Sequence, residues 1–275
     1  MTHATKFENP GDYRTFEVAG FPFIVILGKD RQIRAFHNVC RHRAYAVTNK
    51  ECGSSTVLRC RYHGWSYDSR GKLIKAPEFE GVKGFEKDLN GLWEVKTEIR
   101  ESMIFVNLDV GNEVTSQVLS DGEGNLRRWK TNDMSWIEEW KLEGRFNWKL
   151  AGKYLYTREL RKWSMLTYKA GFLLPSNSGR EGLSSFLSFG SSDEYLNMFH
   201  TTVFRRLRSG QLLTLRLLPL SRNTTRIECN LYGTGSRTNR NRVDNLKMEI
   251  QFAIEQLEFR QHTLMHNGSD YSDCK

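Results

Sequence analysis

Two short knuckles set the tightest limit on what this chain can fold into: Cys40-Arg41-His42 and, seventeen residues later, Cys60-Arg61-Tyr62-His63. Each offers one thiol and one imidazole. For all four donors to serve one centre, two loops distant in sequence must lie side by side. Four such donors suit tetrahedral zinc, but zinc knuckles usually place both Cys in one loop and both His in the other. Here each knuckle mixes them. The mixed order suits a two-iron, two-sulfide cluster in which one iron takes two thiolates and the other two imidazoles. A zinc knuckle remains the alternative at this point.

The surrounding pattern supplies short elements and tight turns. Tyr13–Val18 alternates and stops at Ala19-Gly20, Phe21–Leu27 is apolar and β-branched, and Ile33–Asn38 follows. Ser66–Tyr67 and Leu73–Ile74 flank Asp68-Ser69-Arg70-Gly71, a hairpin signal, and Ser102–Leu108 reads as a further strand. Residues 11–110 are therefore predicted to form a small antiparallel sandwich or barrel. From about residue 113 the texture changes. Gly122–Met134 is polar, a solvated helix or linker, and Trp136–Tyr154 is rich in Trp and charge. Tyr195–Phe204, Gln211–Leu220 and Thr225–Tyr232 read as three long strands. Arg242–His266 reads as a helix with Val243, Leu246, Ile250, Ala253 and Leu257 at helical spacing. Two domains are expected, 1–112 all-β and 113–275 α+β, an antiparallel sheet with a long terminal helix.

The flanks of the knuckles carry a resemblance. Phe36-His37-Asn38-Val39-Cys40-Arg41-His42-Arg43 and Cys60-Arg61-Tyr62-His63-Gly64-Trp65-Ser66-Tyr67 closely resemble the cluster loops of Rieske non-haem iron oxygenases. The likeness runs from Gly11 to Leu108, with Pro10-Gly11-Asp12-Tyr13 and Phe105-Val106-Asn107-Leu108-Asp109 as further matches. It implies a Rieske [2Fe–2S] cluster with Cys40 and Cys60 on one iron and His42 and His63 on the other. It also implies an all-β Rieske domain followed by a helix-grip catalytic-like domain. Electron-transport Rieske proteins carry an extra Cys in each loop and a Ser after the His-Gly. Here those places hold Tyr45, Tyr62 and Trp65, so fewer donors to the cluster sulfurs and a lower potential are expected. Cys52, Cys229 and Cys274 are read as non-ligands and His37 as a packing residue.

The likeness breaks in the second half. Rieske oxygenases hold a mononuclear iron there with two His and a carboxylate. Asn147-Trp148-Lys149-Leu150-Ala151-Gly152 matches the start of that motif, but the bridging acid falls on Thr157 and the two His on Leu160 and Met165. No His occurs between His63 and His200. The carboxylate position falls on Gln256 of Glu255-Gln256. The mononuclear iron is therefore expected to be absent, and the catalytic-like domain to be shortened near Leu173–Ser192. A relocated site would have to draw on His200, His262 and His266, the last two sharing a helix face.

The resemblance implies an oligomer based on rings of three. The expected role is an auxiliary, electron-transferring subunit beside a catalytically complete Rieske oxygenase subunit, with a ferredoxin or flavin reductase as electron donor. Two alternatives stand. One is a self-sufficient monooxygenase with a non-standard iron site; the other is a cluster-bearing ligand-binding or sensor protein. The formal charge of +9 is concentrated in Arg127-Arg128, Arg205–Arg208 and Arg237–Arg242 and reads as a face for an acidic donor or as a solvated surface. No nucleic-acid module is recognisable. No apolar run of eighteen residues and no apolar signal core occur, so no membrane span and a cytoplasmic location are expected.

Overall fold

The alternation read in the sequence becomes two sheets around a shared apolar layer. In the computed structural model, residues 2–79, 81–109, 116–151, 193–198, 201–235 and 240–266 are described, with backbone alone over 116–121. The chain divides into two units, Met1–Ser116 and Gln117–Lys275. The first contains β1 (Thr2–His3), β2 (Asp12–Val18), β3 (Phe21–Leu27), β4 (Ile33–His37), β5 (Cys52–Ser54), β6 (Val57–Arg59), β7 (Ser66–Asp68), β8 (Leu73–Lys75), β9 (Glu94–Arg100) and β10 (Met103–Asn107). Seven pair in the order β1-β10-β9-β4-β3-β2-β5, and β6-β7-β8 form a separate three-stranded sheet. Every pairing is antiparallel.

β3 explains the architecture. Its side chains alternate between faces, so Ile24 and Ile26 join Phe36, Leu58, Trp65, Tyr67 and Leu73 in the layer between the sheets. Phe23, Val25 and Leu27 pack on the other face with Phe7, Val95 and Ile104. A strand buried on both faces must be apolar throughout, which is why its sequence barely alternates. Cys40 and Cys60 lie in the first of these layers.

The second unit is α+β. It contains α1 (Ser116–Arg128), β11 (Ser135–Gly144), β12 (Glu194–Met198), β13 (Thr202–Arg206), β14 (Leu212–Ser221), β15 (Thr224–Gly233) and α2 (Arg240–His266). The sheet order is β11-β15-β14-β13-β12. α2 packs Val243, Leu246, Ile250, Ile254 and Leu257 against Leu213, Leu215, Ile227 and Leu231 of the sheet. Ile254 rather than Ala253 completes the buried stripe.

The stretch 195–204, expected as one strand, is two strands of a hairpin, with Met198 opposite Thr202. No Asn-Gly or Asp-Gly marks the reversal, so the sequence hid it. The polar stretch 122–134 is partly helix α1. Gly122 is a weak helix former, and a Cβ there would meet Met198 Cε at 2.9 Å, so a larger residue would have to push the Met198 side chain aside. β9 (Glu-Val-Lys-Thr-Glu-Ile-Arg) went unread because its charges mask the alternation.

Candidate metal centre

Cys40 follows β4 and Cys60 follows β6, so each knuckle caps a strand of a different sheet. The two loops share one backbone pattern. Cys40 N–H donates to the Tyr45 carbonyl (2.8 Å) and Ala44 N–H to the Cys40 carbonyl (2.9 Å). Likewise Cys60 N–H donates to the Trp65 carbonyl (2.8 Å) and Gly64 N–H to the Cys60 carbonyl (3.0 Å). The residue four after each Cys turns left-handed, Ala44 at φ 54° and Gly64 at φ 74°. Glycine takes that conformation without the steric cost a Cβ brings. His42 sits two residues after its Cys and His63 three after its own, so equivalent loops present their imidazoles from different positions.

The four sequence-predicted ligands come together as two pairs, Cys40 with Cys60 and His42 with His63. Cys40 is 3% and Cys60 2% exposed. The rings of His42 and His63 lie 4.6 Å apart between centroids. Burial first, then His63, holds the His42 pKa below its ordinary value, which keeps the ring neutral with a free lone pair. A lowered value also means that this ring stabilises the metal-free fold above pH 6.5 and progressively less as pH falls below it. Burial pushes the Cys60 thiol up, and neighbouring Cys40 adds to the shift. Two adjacent buried thiols cannot both ionise without a cation between or beside them.

His42 Nδ1 is buried with no hydrogen-bond partner, and so is Trp65 Nε1. A buried ring nitrogen costs free energy unless something takes its lone pair, and an iron would. Among the described residues, no three His, Cys, Asp or Glu side chains gather around a single point. Tetrahedral zinc would require such a gathering. A two-iron cluster divides its four ligands between two metals, and the residues fit it.

Tyr67 is a partner the sequence reading missed. Fully buried on β7, its hydroxyl lies 3.2 Å from Cys40 Sγ and accepts from Arg41 N–H at 3.1 Å. Its own proton is therefore free for the sulfur. Burial and the Cys40 contact push its pKa above the ordinary tyrosine value, so it stays a donor. A hydrogen bond to a ligand sulfur favours the more negative, reduced state. At about 1 kcal/mol of preference, Tyr67→Phe is expected to lower the cluster potential by roughly 40 mV in protein-film voltammetry. An unchanged potential would remove Tyr67 from this role. Its position four residues past His63 was the available signal.

Aromatic rings treat the two imidazoles differently. Trp65, 2% exposed, stacks on His42 at 4.9 Å and 7°, and Phe79 meets His42 edge-on at 5.2 Å. Phe85 backs both Phe79 and Trp65. His63 instead packs on the exposed Tyr62 at 3.9 Å, and Tyr62 leans on exposed Tyr45 at 5.4 Å. Arg41 lies 3.9 Å over the exposed Trp93 ring. So His42 and His63, both half-buried, differ in their neighbours: His42 stacks on the buried Trp65, and His63 packs on the exposed Tyr62.

In the second unit, Asn147 braces the fold. Its N–H donates to Gln261 Oε1 (2.6 Å), its Nδ2 to the Arg222 carbonyl (2.6 Å), and its Oδ1 accepts from Lys149 N–H (2.9 Å). Gln261 Nε2 in turn donates to Asn223 Oδ1. This ties the α2 end to the β14–β15 turn. Thr157, Leu160, Met165, the stretch 173–192, His200 and Cys274 lie outside the described residues. Glu255 is exposed and Gln256 half-buried on α2. Cys229 is buried in β15 and Cys52 exposed in β5.

The expected basic face is thinner than its arginine count. Arg205 is 6% exposed and bound to Asp193 and Glu249. Arg127 pairs with Glu123 and Arg128 with Glu194. Charges already neutralised by carboxylates contribute little to steering. Among the described residues, no helix is long and apolar enough to cross a membrane.

Comparison with known proteins agrees with this geometry. Residues 1–86 match the Rieske [2Fe-2S] domain. The chain is 38% identical over 124 residues to the 2-aminobenzenesulfonate 2,3-dioxygenase subunit alpha of an Alcaligenes species, covering 44% of this chain and 32% of that protein. It is 30% identical over 156 residues to the carnitine monooxygenase oxygenase subunit of Acinetobacter pittii (strain PHEA-2), covering 54% and 41%. The matches thus span about a third to two-fifths of those curated relatives. Among solved structures, the quaternary ammonium Rieske monooxygenase CntA with L-carnitine superposes with a TM-score of 0.77 at 19% identity, over 96% of this chain and 77% of that one. Naphthalene 1,2-dioxygenase with indole gives 0.72 at 19%, over 99% and 75%. At these identities the structures speak for the fold.

Proposed function

Starting from a chain that carries a Rieske [2Fe–2S] domain and is homologous to Rieske oxygenase alpha subunits, we propose that it is an auxiliary, electron-transferring subunit of a heteromeric Rieske oxygenase. Cys40 and Cys60 hold one iron, and His42 and His63 hold the other. The cluster supplies one-electron chemistry when bound. The chain's own residues set its conditions. Tyr67 donates to Cys40, and Trp65 and Phe79, backed by Phe85, hold the His42 ring in place.

The observation that carries the reading is the contrast between the two halves. Cys40 lies beside Cys60 and His42 beside His63, which supports a cluster there, whereas the sequence from Asn147 to Met165 offers no His and places Thr157, Leu160 and Met165 where iron ligands are expected. The chain then lacks an oxygen-activating iron of its own and works beside a catalytically complete subunit, in an assembly based on threes. Inter-subunit electron transfer is named for a structurally similar quaternary ammonium monooxygenase, which supports that arrangement. The exposed ring pair Tyr45 and Tyr62 beside His63 suits a protein partner, since buried aromatic and arginine side chains anchor interfaces. A ferredoxin or flavin reductase fits as the donor.

Total iron and turnover test this reading. The chain alone is expected to hold two irons, to show a Rieske EPR signal on reduction, and to form no product with a donor supplied. Adding a full-length Rieske oxygenase with its own cluster loop disabled is expected to restore turnover. A third redox-active iron in the purified chain would overturn the proposal.

A further inference from the structure

Outside the cluster loops, His262 and His266 stand one turn apart on α2, and both are exposed. Their Nε2 atoms lie 3.0 Å apart and their ring centroids 4.2 Å. One neutral ring can donate to the other, but an exposed pair of this kind gains little. The same separation fits a shared ion. Two imidazole nitrogens each about 2.0–2.1 Å from one metal lie about 2.9–3.0 Å apart at a right angle and about 3.3 Å apart at a tetrahedral angle. The spacing His262-Thr263-Leu264-Met265-His266 is that of two donors on one helix face.

We propose that His262 and His266 form a two-point surface site for a borderline divalent transition metal, with water filling its other positions. Imidazole donors select zinc, nickel or copper over magnesium or calcium. The site is not an oxygen-activating centre. Among the described residues no third His, Cys, Asp or Glu joins the pair, and Glu255 stands about 10 Å along the helix axis from His262. A metal there would clip the final turn of α2, close to Gln261, which braces Asn147. The proposal stands apart from the auxiliary-subunit reading.

Zinc ion alone is the probe, added to the full cluster-loaded chain. Equilibrium dialysis is expected to show one zinc per chain beyond the cluster iron. His262→Ala and His266→Ala should each weaken binding at least tenfold, and the double variant should retain no zinc. Both side chains are exposed, so unchanged iron content and circular dichroism serve as controls. Hydrogen exchange gives a second readout. At zinc ten times the dissociation constant, opening of the last turn is expected to slow about elevenfold in the parent chain only. Undiminished zinc in the double variant, or no zinc held by the parent at about 100 μM, would overturn the proposal, as would exchange that ignores zinc.

Discussion

Cys60→Ala is expected to take the purified chain from two irons to none. The reason is geometric. The thiols of Cys40 and Cys60 are both buried in one apolar layer, and within it no other sulfur can take the place of either. An iron left with one protein thiolate loses half its protein ligands in a place where water cannot easily substitute. Metal affinity in such sites is coupled to folding, so loss of a ligand removes occupancy rather than merely weakening it. The control is Cys229→Ala. Cys229 is as buried as Cys60, and burial pushes its thiol pKa well above the ordinary value, as for an inert packing residue. That variant is expected to keep both irons and the full visible spectrum. Iron retained by Cys60→Ala, or lost by Cys229→Ala, would refute the ligand assignment.

Arg205→Ala is expected to cost about 3–5 kcal/mol of second-unit stability, the range for stranding a buried charge. Arg205 Nε donates to Asp193 Oδ2 at 2.8 Å and its other nitrogens reach Asp193 and Glu249. Both arginine and aspartate side chains are 7% exposed. Burial pushes the Glu249 pKa up while Arg205 pulls it back, so without the guanidinium the carboxylates face a choice between protonation and solvent. Arg208 N–H also donates to Asp193, which pins the β13–β14 turn. Urea denaturation followed by circular dichroism measures the loss. Pairing Arg205→Ala with Glu249→Gln should recover part of it, because the removed charge no longer needs a partner. A cost below 1 kcal/mol would mean that water reaches the cluster of charges.

The candidate metal centre was legible because its chemistry is local. Cys-X-His and Cys-X-X-His fix the donor types, and Gly64 marks the turn that carries the second pair. Tyr67, Phe79 and Phe85 were harder to read, since their roles depend on β7 and the loop after β8 folding over His42. A strand with alternating burial, such as β15, showed itself through apolar spacing, and β14 through an apolar run. β9 did not, because its outward face is charged. The β12–β13 reversal carries no turn residue, so only tertiary pairing reveals it. Arg205 looked like surface charge for the same reason. A sequence shows that an arginine is present but not that Asp193 and Glu249 surround it.

The split of the two knuckles between separate sheets has a mechanical meaning. Cys40 is attached to the seven-stranded sheet and Cys60 to the three-stranded one, so a bound cluster acts as a cross-link. It closes a loop of roughly twenty residues without any disulfide. By the chain-entropy reckoning used for disulfides, such a closure penalises the unfolded ensemble by about 3 kcal/mol. Oxidative loss of the cluster would then do more than silence a redox centre. It would release the seam between the sheets, and the first sign would be proteolytic nicking between residues 43 and 51, the stretch after the first knuckle that belongs to no strand.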